Sequence, residues 1–279
     1  MSRDPKETVA LVTGATDGLG RALAERLAAM GMSVHIHGRS AEKLATVRRE
    51  IVTETGNERI VVHQADFASL AEVRGLAAEI GALDALHLLV NNAGIGSGLP
   101  DSPDREESRD GIELRFAVNY LAGFALTEPL LPLLERSAPS RIVMVASLGQ
   151  ASLDFDDPLL ERSYYEGRRA YAQSKLAQIT YANELAARLT DTGVTVNSLH
   201  PATFMPTKIV LDERGTSVDS LSRGVEATLR VATDPELDQV SGRFFDRERE
   251  AQPESQATDP AAQQKLRELS ERLLKDSLQ

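Results

Sequence analysis

Apolar residues along this chain gather in short β-branched runs separated by longer stretches in which they recur every three or four positions. Residues 8–13 (TVALVT) form the first run; a glycine-rich turn follows, then residues 21–30, where Leu23, Leu27 and Met30 share a helical face. The rhythm repeats as strand 33–37, helix 41–54, strand 59–64, helix 70–80 and strand 86–90. A helix over 111–134 then precedes a strand at 141–147, and a helix over 169–189 precedes a strand at 194–199. Strands alternating with helices at this spacing predict an α/β fold: a single Rossmann-type, doubly wound parallel sheet of about seven strands with helices on both faces.

The remaining stretches are less periodic. Pro129 and Pro132 should kink or end the helix over 111–134. Residues 202–218 read as a polar loop, 219–232 as a helix and 242–245 as a last edge strand. No composition break divides 1–246, which is expected to be one domain. Residues 247–258 are charged and turn-rich, and Asp259-Pro260 starts a helix carrying Leu266, Leu269 and Leu273 on one stripe, within a C-terminal segment 247–279. That helix either packs on the body or on a partner chain, or stays partly solvated.

Composition narrows the function classes. A hydrophobic content of 42% with 26% charged residues is that of a soluble globular chain, and a net charge of −11 argues against a surface for nucleic acid or anionic membrane while leaving room for a local phosphate pocket. The chain has no cysteine, which removes disulfides and thiolate metal sites, fits a reducing cytoplasm and makes any redox chemistry depend on a borrowed cofactor. No stretch reads as a bilayer span and residues 1–7 are polar, so no membrane insertion is expected. His35 and His37 alternate on one strand without further donors nearby, a structural pattern, and no metal is predicted.

The candidate chemistry sits where elements meet. The turn Gly14-Ala15-Thr16-Asp17-Gly18-Leu19-Gly20 joins the first strand to the first helix, where backbone N–H groups and a positive helix end suit a pyrophosphate. Its Gly-x-x-x-Gly-x-Gly spacing differs from the common dinucleotide fingerprint, so an ordinary tight turn stays open on the glycines alone. The second strand ends in Gly38-Arg39-Ser40 without the acid that binds ribose hydroxyls; Arg39 suits a 2′-phosphate and Ser40 adds a hydroxyl or caps the next helix, which points to NADP(H). The alternative for Arg39 is a surface cation. Tyr171 stands one helical turn before Lys175, whose charge favours the phenolate and fits the phenol to deliver a proton to a carbonyl. Ser147 closes its strand at the carboxyl edge of the sheet, where such folds bind ligands.

Thr13-Gly14-x-x-x-Gly18-x-Gly20, Asn91-Asn92-Ala93-Gly94, Ser147 and Tyr171-x-x-x-Lys175 stand in the order seen in the short-chain dehydrogenase/reductase family, which the chain resembles from about residue 8 to 246. The resemblance implies that Ser147, Tyr171, Lys175 and Asn119 are catalytic. Lys175 would also hold the nicotinamide ribose, and Asn119 a water that links Lys175 to solvent. It implies cofactor contacts from the glycine turn, from Asp66 and Phe67 at the adenine, and from Asn91, Ala93 and Gly94 beside the fourth strand. Pro201-Ala202-Thr203-Phe204-Met205-Pro206-Thr207 departs from the family's Pro-Gly and offers two threonines for the carboxamide, of which Thr207 is favoured.

The long interval between Ser147 and Tyr171, carrying Phe155-Asp156-Asp157 and Tyr164-Tyr165, resembles the branch that contains retinol dehydrogenases, many of which take bulky apolar carbonyls or alcohols. Phe204, Met205, Ile209, Val210 and Leu211 either line an apolar pocket closed by this segment or anchor it on the core; His200 reads as backbone support. The expected activity is reversible NADPH-dependent reduction of a ketone or aldehyde on an apolar small molecule. The alternatives are a non-catalytic NADP(H)-binding regulatory protein and an epimerase or dehydratase with tightly held NAD. Helices around Asn119 and Tyr171 resemble those that pair subunits in this family, so a homodimer or homotetramer is expected.

Overall fold

The computed structural model describes residues 3–98 and 104–277. The chain runs through β1 (Val9–Val12), α1 (Gly18–Ala29), β2 (Ser33–Gly38), α2 (Ala41–Thr55), β3 (Ile60–Gln64), α3 (Leu70–Gly81) and β4 (Leu88–Asn91). A π-helical segment Phe116–Leu121 leads into α4 (Ala122–Arg136), β5 (Ser140–Val145), α5 (Gly167–Arg188) and β6 (Val194–His200). A short α6 (Lys208–Arg214), α7 (Leu221–Thr233), β7 (Phe244–Asp246), β8 (Arg249–Ala251) and α8 (Pro260–Asp276) complete it.

The strands form one sheet in the order β3-β2-β1-β4-β5-β6-β7-β8, parallel throughout except for the antiparallel pair β7 and β8. After β3 the chain crosses back to place β4 beside β1, so the connections leave β1 and β4 in opposite directions and open a crevice at their carboxyl ends. Alternate strand residues feed two cores: Leu11 faces the layer of α3, α4, α5 and α8, while Ala10 and Val12 face that of α1, α2 and α7.

Three expectations change. The sheet of about seven expected strands has eight, the last, β8, lying in the charged stretch after Phe245 with Arg249 and Glu250 exposed on it. It turns the expected edge strand into an interior one, paired with β6 on one side and β8 on the other. The single helix over 111–134 is instead a turn, the π segment and α4, and α4 runs through both prolines to Arg136. Each interior proline removes a hydrogen bond, and burial of Leu130, Leu133 and Leu134 offsets the loss. Residues Phe116–Arg136 also contain a window long and apolar enough to cross a membrane, contrary to the sequence reading; 72% of it is buried inside the fold, where it builds the core.

The C-terminal helix packs on the body. Leu266 and Leu269 of α8 are buried, Ser270 Oγ is 2.7 Å from Tyr120 Oη, and Arg267 reaches Glu184 at 2.8 Å and Glu128 at 3.1 Å. This places α8 over the π segment, α4 and α5, the helices expected to pair subunits.

His37 ties two strand ends together. Ala65 O lies 3.0 Å from its Nε2, so that nitrogen carries the proton, and its Nδ1 accepts the Gly14 N–H at 3.3 Å. Burial pushes His37 down to about 4. Among the described residues no three His, Asp or Glu side chains converge as metal donors.

Two outcomes follow from this packing. Leu266→Ala should destabilise the fold by about 2–5 kcal/mol, read as a lower urea midpoint at unchanged slope; a midpoint equal to the parent's would mean α8 is not part of the core. His37 binds its proton more weakly folded than unfolded, so its contribution is complete above 6.5 and drains as pH falls toward 4. Between pH 7 and 5 the parent should lose about 2 kcal/mol more unfolding free energy than His37→Gln; parallel losses would contradict a neutral buried imidazole.

Candidate active site

The glycine turn fills the mouth of the crevice. Gly14 and Gly18 take φ of 65° and 53°, and a Cβ on Gly14 would stand 2.7 Å from Ala93 Cα. A Cβ on Gly20 would stand 2.4 Å from Gly14 O, so the α1 backbone approaches the turn as only glycine allows. Asp17 caps α1 by accepting the Gly18 N–H at 2.7 Å, and Leu19 is buried below. Thr13 Oγ1 accepts the N–H groups of Asn92 (2.9 Å) and Ala93 (3.0 Å), while Asn92 Nδ2 donates to Thr13 O (2.8 Å) and Gly14 O (3.2 Å). Asn92, part of the quoted motif but given no role there, is therefore the side chain that holds the turn against β4. Asn91, expected beside the cofactor, spends its amide nitrogen on Thr127 Oγ1 inside the core at 3.0 Å.

At the end of β2, a side chain on Gly38 would meet the Thr16 methyl at 2.5 Å, so Thr16 and β2 close on each other there. A cavity of about 320 Å³ opens beside them, lined by Thr16, Ser40, Arg21 and Lys43 among others. Arg39 is exposed next to it, and Ser40 caps α2 by accepting the Lys43 N–H at 3.3 Å. Two cations and two acids line the cavity: Arg21 pairs with Glu50 at 3.0 Å and Lys43 stands beside Glu42, whereas Arg39 has no carboxylate partner among the described residues. Asp66 accepts the Ala68 N–H at 3.0 Å and faces Arg109 at 3.4 Å. Phe67 is buried and stacked on His37 with ring centres 4.3 Å apart, so its ring packs on the core side of the turn rather than forming an open platform.

Across the crevice, β5 and α5 bring Ser147, Tyr171 and Lys175 together. Ser147, two residues past the end of β5, accepts the Gly149 N–H at 3.0 Å, and a Cβ on Gly149 would stand 3.5 Å from Ser147 Oγ and 3.9 Å from the Tyr171 ring, so the two side chains flank that glycine. Lys175 Nζ is buried and donates to Val145 O (3.1 Å) and Gln178 Oε1 (3.0 Å), with the Tyr171 ring centre 5.7 Å away. Burial pushes its ammonium down to about 8. The expectation that Lys175 draws the Tyr171 hydroxyl down is not met in this arrangement. Burial pushes the phenol above its ordinary value, the Ser147 hydroxyl offsets part of the rise, and the Glu213 carboxylate adds to it.

Asn119 reaches the same centre from the π segment. Its Oδ1 accepts the Ile95 N–H at 2.7 Å, and its Nδ2 donates to Ile95 O (3.1 Å) and Ser174 Oγ (2.9 Å). A Cβ on Gly94 would stand 3.2 Å from Asn119 Oδ1 and 3.5 Å from Lys175 Nζ, so the two groups flank Gly94. Gln178, three residues beyond Lys175 on the same helix, had no motif to mark it.

Residues 204–218 lie across the crevice. Thr207 precedes α6 without a side-chain cap hydrogen bond, and its methyl stands 3.0 Å from where a Gly18 Cβ would be; Pro201 is buried at the base. Met205 is buried against Gly224 of α7, whereas Phe204, Ile209 and Leu211 are exposed and Val210 is half-buried. One residue of the apolar set anchors the segment, and the others are free of the core. His200 Nε2 lies 3.2 Å from Thr203 Oγ1, as a supporting group. In the stretch before α5, Tyr165 Oη donates to Glu113 Oε1 at 2.9 Å and accepts from Arg115 Nη1 at 3.0 Å, while Arg115 Nε donates to Gly96 O at 3.2 Å. Tyr164 beside it is 87% exposed.

Residues 8–216 match the family described as short chain dehydrogenase. Mouse (Mus musculus) retinol dehydrogenase 13 is 35% identical over 97% of this chain and 84% of its own length. Mouse polyprenol dehydrogenase is 36% identical over 92% of this chain and 81% of its own. A structure of an uncharacterised protein from Mycobacterium paratuberculosis superposes with a TM-score of 0.79 at 27% identity, covering 96% of this chain and 94% of that one. This chain belongs to the short chain dehydrogenase family, oxidoreductases of alcohol and carbonyl groups whose fold binds a nicotinamide cofactor.

Proposed function

We propose that this protein reduces a ketone or aldehyde on an apolar small molecule with NADPH, and oxidises the alcohol when concentrations favour it. The observation that carries the reading is the buried Lys175 ammonium 5.7 Å from the Tyr171 ring centre one turn back along α5, with Ser147 and Tyr171 both flanking Gly149. When bound, the reduced nicotinamide supplies a hydride, which ends on the carbonyl carbon. Ser147 donates to the carbonyl oxygen, and Tyr171 transfers its hydroxyl proton to the same oxygen, giving the alcohol and a phenolate that solvent reprotonates. A phenol pushed up by burial is fully protonated at neutral pH, which suits the acid of a reduction. Lys175 faces that phenolate as it forms, and Asn119 holds the Ile95 backbone and Ser174 in place beside it.

The cradle supports a dinucleotide. Gly14 and Gly18 open the turn at the α1 N-terminus, and Asn92 and Thr13 fix it against β4, which leaves the positive end of α1 at the place a pyrophosphate would take. Arg39, exposed at the end of β2 where no acid stands in its place, favours the 2′-phosphorylated form. An apolar substrate is supported by the exposed Phe204, Ile209 and Leu211 over the crevice and by the names of the retinol and polyprenol dehydrogenases.

Tyr171→Phe keeps the ring and removes the proton: NADPH binding should persist while turnover falls at least ~100-fold, and full turnover would remove Tyr171 from the chemistry. Arg39→Asp should weaken NADPH far more than NADH in fluorescence titrations. Equal weakening of both would return Arg39 to the surface cations.

A further inference from the structure

The segment 204–218 is pinched shut at its base. Asp219 N–H donates to Thr203 O at 3.0 Å and Val218 N–H to Phe204 O at 2.9 Å. Asp219 Oδ2 accepts the Thr203 N–H (2.8 Å) and Arg247 Nη2 (3.0 Å), and the same Arg247 nitrogen donates to Thr203 Oγ1 at 2.9 Å. The ends are therefore fixed, and what lies between them is a flap over the crevice. Its helix α6 contributes no buried residue, so the core does not hold its tip down.

One side chain does. Glu213 Oε2 accepts the Ser97 hydroxyl at 3.0 Å, and Oε1 accepts the Gly98 N–H at 3.0 Å. These donors belong to the loop after β4 that carries Gly94 beside Lys175 and Asn119. The fit is tight: a Cβ on Gly96 would fall on Glu213 Oε1 and within 2.6 Å of Ile209 Cγ2. Arg115 and Tyr165 brace the receiving loop from behind through Gly96 O. A carboxylate accepting one hydroxyl and one backbone N–H is a charge-assisted two-point hold.

We propose that Glu213 is a positioning residue, the latch that seats the 204–218 flap on the 95–98 loop and so closes the nicotinamide end of the crevice around an apolar substrate. The proposal rests on the reductase reading for its kinetic consequence only. Gly96 is the matching half of the latch, small so that the carboxylate can enter. Glu213 has no other partner on its own helix, and its charge faces Tyr171 across the crevice.

The test uses the full chain. Lys208 and Arg214 are exposed within the flap, so trypsin reports whether its tip is held. Glu213→Ala and Gly96→Ala, altered on opposite sides of the contact, should both be cut after Lys208 or Arg214 about tenfold faster than the parent, at unchanged thermal midpoint. Glu213→Gln, which keeps an acceptor for Gly98 and a donor for Ser97, should recover most of the protection. With NADPH and decanal as the probe pair, the two Ala variants should raise KM for decanal about tenfold and lower kcat by much less. Parental cleavage rates in both Ala variants would overturn the latch, as would a Glu213→Gln variant as exposed as Glu213→Ala. If the parent fails to oxidise NADPH with decanal or other apolar carbonyls, the functional reading falls, yet the cleavage rates still judge the latch.

Discussion

The arrangement depends on a buried ammonium. Lys175 has been taken out of water by α5, β5 and the Gly94 turn, and a charge in such a place persists only when acceptors replace its solvent. Val145 O and Gln178 Oε1 do this, one from the end of a strand and one from the next turn of the same helix. The Tyr171 ring lies on a further side of the ammonium, with its centre 5.7 Å away. Because Val145 ends β5, the strand that presents Ser147 also fixes the ammonium, and the distance between the two groups is set by backbone rather than by flexible side chains. Gly94 completes the constraint, since any larger residue would occupy the space between Asn119 and Lys175.

The π segment serves the same centre. Widening a helix by one residue over Phe116–Leu121 leaves a backbone less regular than an α-helix, and such bulges gather where a side chain must be re-aimed. Here the residue re-aimed is Asn119, which bonds both backbone groups of Ile95 and so ties helix and loop edge to edge. The irregularity is stabilised by what lies behind it: Phe116, Tyr120 and Phe124 pack ring on ring toward α5 and α8.

Local periodicity carries much of this architecture. The βα rhythm, the glycine turn and the Tyr171–Lys175 spacing all depend on neighbours in sequence, and the sequence shows them. Interactions between distant segments leave no such trace. β8 carries exposed Arg249 and Glu250 on its two sides, with only Ala251 reaching the core, and exists because β7 offers it an edge. Gln178 looks like any polar residue until the ammonium is placed beside it. Phe67 is recognisable as the residue after Asp66, yet its ring goes to His37, a choice made by packing across two strands. The direction in which Tyr171 shifts was also illegible, since spacing reports the nearby cation but neither the depth of burial nor the carboxylate that Glu213 brings from more than forty residues away.

The position of α8 has a consequence for how the polypeptide acquires its form. It is synthesised after all eight strands, yet Leu266 and Leu269 complete the same core that α3, α4 and α5 begin. Until that helix leaves the ribosome, the aromatic side chains of the π segment and α4 have no cover on one side. The nascent sheet must therefore wait, with an oily flank facing chaperones or solvent, before the layer can close.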